Sequence, residues 1–404
     1  MLKITRFDMV AKYVKKMKSI IIFGPRGVGK SFFLKKQLLP TLKIPHLYID
    51  LLRSAEYGKF LKHPQQFAEE VESKLKISKK LLVIVDEIQR LPGLLNDIQS
   101  LIEDHKDKLH FILTGSSARK LKRGDANLLA GRAYKISFTN LSFLEISFRD
   151  NLYNILQYGL LPQVYTETEI EFKEEFLTNY CHTYLKEEIQ QEALVRNLES
   201  FSKFLELAAQ SNGAPINCSK IANQIKVAPK TVNEYYKILE DTLLAHKVLG
   251  WSESVRKQLQ TAPKYYFFDN GVINALKGEL RTELRPSSYR YGILFENMII
   301  NEIIKLINSK QLSWEIYYYR TNNGGEIDLI LKKKEKEKNK IIAIEFKSND
   351  GSELTNERDF RTLLDFKKEF PKASLQVWCL AKRPFKRFTI DFIPYMEALE
   401  TSLL

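Results

Sequence analysis

Eight consecutive residues near the amino terminus have the types and spacing that bind a polyphosphate. They follow an apolar run, precede a stretch with helical spacing and match GxxxxGK[ST] in full: Gly24, Pro25, Arg26, Gly27, Val28, Gly29, Lys30 and Ser31. Glycine lets the backbone bend with its N–H groups turned inward, and the positive end of a helix dipole adds to the attraction for phosphate. We therefore expect Lys30 to contact the β- and γ-phosphates of ATP and Ser31 to bind Mg²⁺.

Two adjacent acids follow a run that is typical of a buried strand. Residues 81–85 are all apolar, and Asp86 and Glu87 come directly after them. An acid at the end of such a strand can hold Mg²⁺ through water, while the next acid orients and deprotonates the attacking water. We assign the first role to Asp86 and the second to Glu87. Together with the phosphate-binding loop, this pair predicts ATP hydrolysis.

A serine and an arginine are further candidates for the same site. Residues 114–117 read Thr-Gly-Ser-Ser at the end of another apolar run, and Ser116 is predicted to sense the γ-phosphate. Arg132 follows a glycine just before the next apolar run. Two roles for Arg132 stay open. It is either an arginine finger that acts on a neighbouring subunit of a homo-oligomer, or one half of a surface salt bridge.

A second set of chemically competent residues lies in the carboxyl-terminal part of the chain. Glu296 falls in a helical pattern, Asp328 in a strand pattern, and Glu345 and Lys347 in the following strand pattern. Residues two apart in a strand share a face, and an adjacent strand can bring Asp328 beside them. Asp328 and Glu345 then offer oxygen ligands for a divalent cation, and the Lys347 ammonium can steady negative charge. The set predicts Mg²⁺-dependent DNA cleavage, and the alternative is a domain that docks or grips DNA without turnover.

The elements that position these residues alternate strand and helix patterns in two parts of the chain. Strands are expected at 20–23, 46–51, 81–85, 109–113 and 133–138, and this part predicts a parallel sheet covered on both faces. A second α/β unit is expected from strands at 316–320, 327–331, 341–346 and 375–380 with helices at 294–307 and 363–370.

The intervening residues are predicted to be mainly helical. Residues 141–207 have the spacing of a helical lid or connector, and residues 217–245 show two helical patterns separated by Pro229, as in a helix-turn-helix. The second helix would present Lys230, Thr231, Asn233 and Lys237 to phosphates or base edges. Modules of this kind also contact proteins, so DNA contact and protein contact both stay open.

Taken together, the motifs resemble a group of bacterial and archaeal AAA-type ATPases with a carboxyl-terminal nuclease-like domain of uncharacterised role. The matching pieces span nearly the whole chain: GPRGVGKS, VDEIQRLPG, LTGSS, AGR, YLKEEI, LFENMIINEI, YYRTNNGGEIDLIL and AIEFKS. YLKEEI departs from the Arg-Asp version that is more usual in the group. The resemblance implies an α/β protein in four parts: an AAA-type P-loop ATPase core (1–140), a helical lid or connector (141–207), a winged helix-turn-helix (208–262) and a restriction-endonuclease-like PD-(D/E)XK domain (263–404). It assigns Asp328, Glu345 and Lys347 to the nuclease motif, with Glu296 as the accessory acid on a helix.

Composition limits the classes of partner. Lys and Arg number 63 against 49 Asp and Glu, and the net charge of +14 favours an acidic partner such as nucleic acid, with a solubilising surface as the alternative. Three cysteines far apart in sequence exclude a disulfide framework and a CxxC metal site, and they favour a reducing cytoplasm. The apolar runs are too short for a bilayer, so we expect no membrane insertion.

Two functions are compatible with these residues. The first is an ATP-hydrolysing AAA-type protein that couples nucleotide state to DNA binding, with Mg²⁺-dependent DNA cleavage as a further activity. The second is a nucleotide-dependent switch that regulates or scaffolds protein partners and cuts nothing. Because ATP turns over in both, stimulation of turnover by DNA is the observation that separates them.

Overall fold

The protein folds into two compact units, each with its own β-sheet. A computed structural model describes residues 6, 9–117, 129, 131–146, 148, 151–184, 197–254, 256, 258, 261–321, 323–334 and 339–403 of the 404-residue chain. The first unit contains Met1–Ile146, Leu161–Gln163 and Asp241–Leu244, and the second contains Ser147–Leu160, Val164–Glu240 and Ala245–Leu404. The change of unit at Ile146 lies near the expected boundary at 140/141. The other two expected boundaries fall inside the second unit.

Five parallel strands form the sheet of the first unit in the order β2-β3-β4-β1-β5. They are β1 (Ser19–Phe23), β2 (His46–Asp50), β3 (Leu81–Asp86), β4 (Leu109–Gly115) and β5 (Ala133–Ser137). All neighbouring strands pair in parallel, which confirms the parallel sheet expected from the sequence. β1, β3 and β4 are buried along their whole length, and this burial on both faces explains their continuous apolar runs.

Helices connect these strands and cover the sheet. They are α1 (Met9–Lys15), α2 (Lys30–Phe32), α3 (Ser54–Lys62), α4 (Gln65–Ile77) and α5 (Leu94–Asp104). α2 continues as a π-helical segment, Phe33–Leu38, and a 3₁₀ turn, Leu39–Thr41, while a second 3₁₀ turn, Ile88–Arg90, follows β3. Val71 of α4 and Ile98 of α5 share one core cluster with Val83 and Phe111 of the strands.

The segment after the first sheet is mainly helical in its described residues, as the sequence predicts. Its helices are α6 (Leu152–Tyr158), α7 (Pro162–Thr166), α8 (Ile170–Asn179), α9 (Leu198–Gln210), α10 (Cys218–Ile225) and α11 (Pro229–Asp241), with a π-helical segment at Tyr180–Tyr184. Most of the YLKEEI piece lies outside the described residues. No helix in the described part of the chain is both long and apolar enough to cross a bilayer.

The expected pair of helices is present at α10 and α11. The Asn217 side chain accepts a hydrogen bond from the Lys220 N–H at 2.9 Å and so caps the start of α10. Lys226 ends that helix with a left-handed φ of 55°. Pro229 is the first residue of α11, a position where its missing N–H leaves no helical hydrogen bond unmade.

Eight strands form the sheet of the second unit in the order β12-β13-β11-β10-β9-β8-β6-β7. They are β6 (Ala245–Gly250), β7 (Lys264–Phe267), β8 (Trp314–Arg320), β9 (Glu326–Lys334), β10 (Asn339–Phe346), β11 (Ser374–Cys379), β12 (Phe385–Arg387) and β13 (Ile390–Pro394). The accompanying helices are α12 (Asn270–Leu276), α13 (Tyr289–Lys310), α14 (Arg361–Glu369) and α15 (Tyr395–Thr401), with a 3₁₀ turn at Glu357–Phe360. β6 pairs with both β7 and β8, so residues on each side of the expected boundary at 262/263 belong to one sheet.

Candidate functional site

The glycine-rich loop follows β1 and ends at the first residue of α2. Gly27 and Gly29 have left-handed φ angles of 80° and 90°, which glycine adopts at low cost. Gly24 is required for a different reason. A Cβ at this position would lie 2.0 Å from the carbonyl oxygen of Phe138, so a larger residue would displace the start of the loop.

The side chain of Lys30 reaches back into the glycine-rich loop that precedes it. Its ammonium is buried and donates hydrogen bonds to the carbonyl oxygens of Gly24 at 2.7 Å and Pro25 at 3.0 Å. Val28 is fully buried, whereas Arg26 and Ser31 are half-buried. A lysine held beside bent backbone at a helix start suits the binding of a polyphosphate, because it adds a positive charge to the helix dipole.

Asp86 is fully buried at the carboxyl end of β3. One carboxylate oxygen accepts a hydrogen bond from the Tyr48 hydroxyl at 2.5 Å, and the other accepts one from the Thr114 hydroxyl. Burial, and then the charge of Asp86, raise the pKa of Tyr48, so Tyr48 remains a hydrogen-bond donor. Both carboxylate oxygens of Asp86 thus have protein donors, which suits contact with Mg²⁺ through an intervening water.

Glu87 adopts a left-handed φ of 63°, an unusual conformation for a residue with a side chain. Its backbone N–H donates to the Thr114 hydroxyl oxygen at 3.0 Å, which ties the end of β3 to the end of β4. Such a conformation costs on the order of 1–3 kcal/mol and persists where its surroundings hold it. Here the Thr114 and Gln89 hydrogen bonds to Glu87 are the contacts that hold it.

Gln89 connects the two candidate residues Glu87 and Ser116. Its side-chain amide donates to the Glu87 carboxylate and to the Ser116 hydroxyl oxygen, the latter at 3.1 Å. Gln89 was not among the residues predicted from the sequence. The only sequence signal was its position two residues after the acid pair, and the structure places it in the middle of the 3₁₀ turn Ile88–Arg90. The loop is joined to the same network because the Gly24 N–H donates to the Gly115 carbonyl oxygen at 3.2 Å.

Arg132 lies at the opposite edge of the first sheet. It directly precedes β5, whose first residue is paired with Ser19 at the start of β1, whereas the loop follows the end of β1. Its guanidinium forms an ion pair with Glu103. Within one subunit Arg132 is therefore not grouped with the other predicted nucleotide-site residues, and an effect on ATP hydrolysis requires a neighbouring subunit.

The predicted acids of the carboxyl-terminal part are brought together in the second unit. The register of β9 and β10 places Leu329 opposite Ile344, so Asp328 lies opposite Glu345. The carboxylate of Asp328 accepts a hydrogen bond from the Phe346 N–H at 2.8 Å. Glu345 and Lys347 lie on one face, where their charged groups are 3.0 Å apart.

Burial dominates the electrostatics of this acid cluster. It raises the pKa of Glu345 to about 7 and, with the charge of Asp328, that of Glu296 to about 7. The pKa of Asp328 is raised as well, again mainly through burial. Burial lowers the pKa of Lys347, but Glu345 and Asp328 outweigh it, so the pKa of Lys347 is raised and its ammonium stays charged.

A second lysine in the cluster was not identified from the sequence. Lys264, the first residue of β7, is 1% exposed, and its ammonium lies 2.5 Å from Glu326 and 3.7 Å from Glu296. The Tyr266 hydroxyl donates to Glu296 at 2.7 Å. Lys264 and Tyr266 are two apart in one strand, so the same face of β7 supplies both groups.

The ligands available for a metal ion are few. Among the residues that the structure describes, no group of three or more His, Cys, Asp or Glu side chains is arranged to hold a metal. Glu296 contacts Tyr266 and Lys264, which leaves Asp328 and Glu345 as the predicted carboxylate ligands. Two carboxylates fit Mg²⁺ only if water or substrate oxygens complete its six ligands, which is common for this ion.

The family models that match this chain change near residue 148, close to the point where the structure changes from the first unit to the second. Residues 16–147 match a family model described as an AAA domain. Together with the parallel sheet and the glycine-rich loop, this match supports a P-loop ATPase as the class of protein that the first unit resembles. Residues 149–283 and 291–397 match two models described as domains of unknown function, DUF8612 and DUF4143. Neither description assigns a winged helix or a nuclease to the second unit.

Individual relatives are distant. The chain is similar to uncharacterized protein Mb2031c of Mycobacterium bovis and uncharacterized protein Rv2008c of Mycobacterium tuberculosis, at 24% identity over 253 residues, or 61% of this chain and 55% of each relative. The chain thus spans about half the length of the curated relatives it matches.

Similar solved structures include domain III of the Thermotoga maritima replication initiation protein DnaA, with a TM-score of 0.27 and 17% identity over 54% of this chain and 87% of that one. Drosophila ORC bound to AT-rich DNA and Cdc6 gives a TM-score of 0.24 and 10% identity over 67% of this chain and 88% of that one.

Proposed function

We propose that the protein is an ATP-hydrolysing AAA-type ATPase that couples its nucleotide state to DNA binding. The observation that carries the ATPase part is the hydrogen-bonded network at the carboxyl ends of three neighbouring strands. It joins the loop after β1 to the end of β4, and the end of β4 to Asp86 and Glu87 at the end of β3. Phosphate-binding and water-activating groups therefore lie at one edge of the sheet, as phosphoryl transfer to water requires.

Each residue of this network has a role in the proposed reaction. Lys30 and the bent backbone offset the charge of the β- and γ-phosphates, while Ser31 and Asp86 would hold Mg²⁺, which neutralises charge on the phosphates. Glu87 orients the attacking water and accepts its proton. Ser116 contacts the γ-phosphate, and Gln89 positions Glu87 relative to Ser116.

An ATPase assay with single-stranded, duplex and branched DNA tests both parts of the proposal. We expect the purified protein to hydrolyse ATP and each productive DNA form to raise the rate. Lys30→Ala is the control. It removes the positive charge that offsets the charge of the phosphates, and it should abolish both basal and stimulated turnover. Turnover that no nucleic acid changes would favour the alternative, a nucleotide-dependent switch or scaffold for protein partners.

For the second unit we propose a PD-(D/E)XK-type fold with Mg²⁺-dependent DNA cleavage as a candidate activity. Its support is the placement of Asp328 opposite Glu345, with Lys347 3.0 Å from Glu345. In this role Asp328 and Glu345 hold the ion, and Lys347 stabilises negative charge that develops on the phosphate. Glu296 is an accessory acid on α13.

The buried Lys264 favours the alternative of a catalytically silent nuclease fold, because it already provides a positive charge among the acids. Calorimetric titration with Mg²⁺ and Mn²⁺ beside a DNA cleavage assay separates the two. Cleavage that is lost in Asp328→Ala, Glu345→Ala and Lys347→Ala, with ATP hydrolysis retained, supports catalysis. A wild-type protein that binds neither ion and cuts no DNA form, with or without ATP, supports the silent fold.

A further inference from the structure

The positive charge of this protein is concentrated in the ATPase unit. Residues 1–146 contain 27 Lys and Arg against 14 Asp and Glu, an excess of 13, whereas the remaining 258 residues contain 36 against 35. The helix pair α10 and α11 therefore belongs to a nearly neutral part of the chain. This distribution of charge favours the first unit as the location of a polyanion-binding surface.

The parallel sheet gathers many of these charges at one edge. Lys18 directly precedes β1, Lys79 and Lys80 precede β3, and Lys106 and Lys108 precede β4. These three strands are neighbours in the order β3-β4-β1, so their starts lie side by side, about 5 Å apart. We call this surface, defined by Lys18, Lys76, Lys79, Lys80, Lys106 and Lys108, the amino edge.

The strand register shows how close these lysines are. Leu82 pairs with His110 and Ile20 with Ile112, so Lys80 is level with Lys108, and Lys18 with His110. Burial, and then the charges of Lys80 and Lys18, lower the pKa of His110. Because β4 lies between β3 and β1, Lys80 and Lys18 lie on either side of His110, and Asp107 adds an opposing negative charge.

The amino edge also contains a cleft of about 700 Å³. Lys76, Lys79, Lys108 and His105 line it, with Glu72 adding one negative charge. Ile77, at the end of α4, lines the same cleft and is 85% exposed. The cleft therefore combines several flexible cations with apolar surface.

The six lysines of the amino edge are exposed, and among the described residues none of them forms an ion pair. Near the ends of α4 and α5 lie Lys76, Lys79 and Lys106, where a positive charge also stabilises the helix dipole. The helix dipole does not account for Lys18 and Lys80, because these two lie directly before strands.

The alternative surface on α11 offers fewer free groups. The Asn233 side chain is engaged locally, since it accepts from the Cys218 thiol at 3.2 Å and donates to the Pro229 carbonyl oxygen at 3.3 Å. Lys237 forms an ion pair with Glu240 at 3.5 Å. Of the outward residues expected to contact DNA there, Lys230 is exposed and Thr231 is half-buried.

We propose that the amino edge binds the phosphodiester backbone of nucleic acid. The inference rests on the proposed coupling of ATP hydrolysis to DNA binding and locates the contact. Lysine is a compact charge on a flexible stem, so a lysine-rich surface suits phosphates and carries little base-sequence information. DNA, with one charge per about 1.7 Å of duplex axis, matches a row of cations better than an isolated acidic side chain does.

This placement also gives a short path between nucleic acid and nucleotide. β1 begins after Lys18 and ends at the glycine-rich loop, β3 begins after Lys80 and ends in Asp86, and β4 ends just before Ser116. A strand of five to seven residues is about 17–23 Å long, so three rigid strands connect the two edges directly. Binding at one edge can thus alter the relative positions of strand ends at the other.

The test measures DNA affinity in a charge-reversal variant, Lys79→Glu/Lys80→Glu/Lys108→Glu. Fluorescence anisotropy with a fluorescein-labelled mixed-sequence duplex is recorded between about 50 and 200 mM salt. Loss of three phosphate contacts should lower the slope of log K against log salt by about 2.7 and weaken binding at least tenfold, since each contact contributes about 0.9. Lys79→Gln/Lys80→Gln/Lys108→Gln should give a smaller loss, and circular dichroism checks that both variants fold.

The comparison variant is Lys226→Glu/Lys230→Glu/Lys237→Glu, which makes the same change in net charge on the helix pair. Its affinity and salt slope should stay close to those of the wild type. If this variant loses binding while the amino-edge variants keep it, the inference is wrong but the proposed coupling of ATP to DNA stands. If the wild type binds neither DNA nor RNA, both the inference and the DNA part of the proposed function fail, and ATP hydrolysis alone remains to be judged.

Discussion

Replacing Lys264 by methionine should destabilise the second unit in a pH-dependent way. Methionine keeps most of the length of the side chain and removes the charge that lies 2.5 Å from Glu326 and 3.7 Å from Glu296. Removing one partner of a buried ion pair typically costs about 3–5 kcal/mol. Because the Glu326 side chain is 30% exposed, water replaces part of its lost partner, and we expect a loss near the lower end, about 3 kcal/mol at pH 8.

The pH dependence follows from Glu296. Its folded-state pKa of about 7 lies above the ordinary 4.5, so its contribution to stability is complete below 4.5 and is lost as the pH rises toward 7. Lys264 lowers that pKa, so in Lys264→Met the pKa rises further and the loss continues above pH 7. At pH 5.5 Glu296 is largely protonated in both proteins. The difference between them should therefore be smaller at pH 5.5 than at pH 8, while the part that comes from Glu326 remains.

Urea unfolding followed by tryptophan fluorescence measures this difference in the relevant unit. All three tryptophans of the chain, Trp251, Trp314 and Trp378, lie in the second unit and are buried. Lys310→Met, at an exposed position at the end of α13, is the matched control and should change the unfolding free energy by less than about 0.5 kcal/mol. An equal loss at both pH values, or no loss at pH 8, would refute the role given to Lys264.

Three further predictions concern the two candidate sites. Lys30→Ala should weaken ATP binding, whereas Glu87→Gln should keep binding and lower the hydrolysis rate about 10²–10⁴-fold. Nucleotide-binding and phosphate-release assays distinguish the two effects. Equal hydrolysis rates for Glu87→Gln and wild type would remove Glu87 from the mechanism. Mixing Arg132→Ala with Glu87→Gln subunits should restore some ATP turnover if Arg132 acts on a neighbouring subunit. If turnover stays absent at every mixing ratio, with assembly verified, Arg132 is a salt-bridge residue only. Glu345→Gln should raise the melting temperature relative to wild type, and more so at pH 8 than at pH 5. Burial raises the pKa of Glu345 to about 7, so its charged form, which is present at pH 8, is the form that destabilises the fold. The same difference in melting temperature at both pH values would contradict this.

The sequence was most informative where chemistry depends on neighbours along the chain. The glycine-rich loop must be continuous to surround a phosphate, so its residues and their order appear directly in the sequence. The buried strands β1, β3 and β4 were predicted because burial on both faces demands unbroken apolar runs. The common face of Glu345 and Lys347 follows from the two-residue period of a strand, which is also a local property.

Strands β6, β12 and β13 were not predicted, because their sequences alone do not show what they pair with. The aromatic residues 265–267 of β7 are typical of a strand, but the charged Lys264 with which β7 begins gives no local sign that it is buried. β7 is stable in the sheet because Glu296 and Glu326 compensate the charge of Lys264, and both are distant in sequence. A buried charge is tolerated only with such a partner.

By itself, then, the sequence determined the phosphate-binding loop, the parallel sheet of the first unit and the identity of the candidate acids. Tertiary structure decided which of these residues meet. Strand order and register placed Asp328 opposite Glu345, added Lys264 to the acid cluster, connected Glu87 to Ser116 through Gln89, and aligned lysines from separate segments at the amino edge. The physical reason is that loop geometry and strand periodicity act over a few residues, whereas pairing between strands joins segments tens of residues apart through burial and hydrogen bonds that no local pattern records.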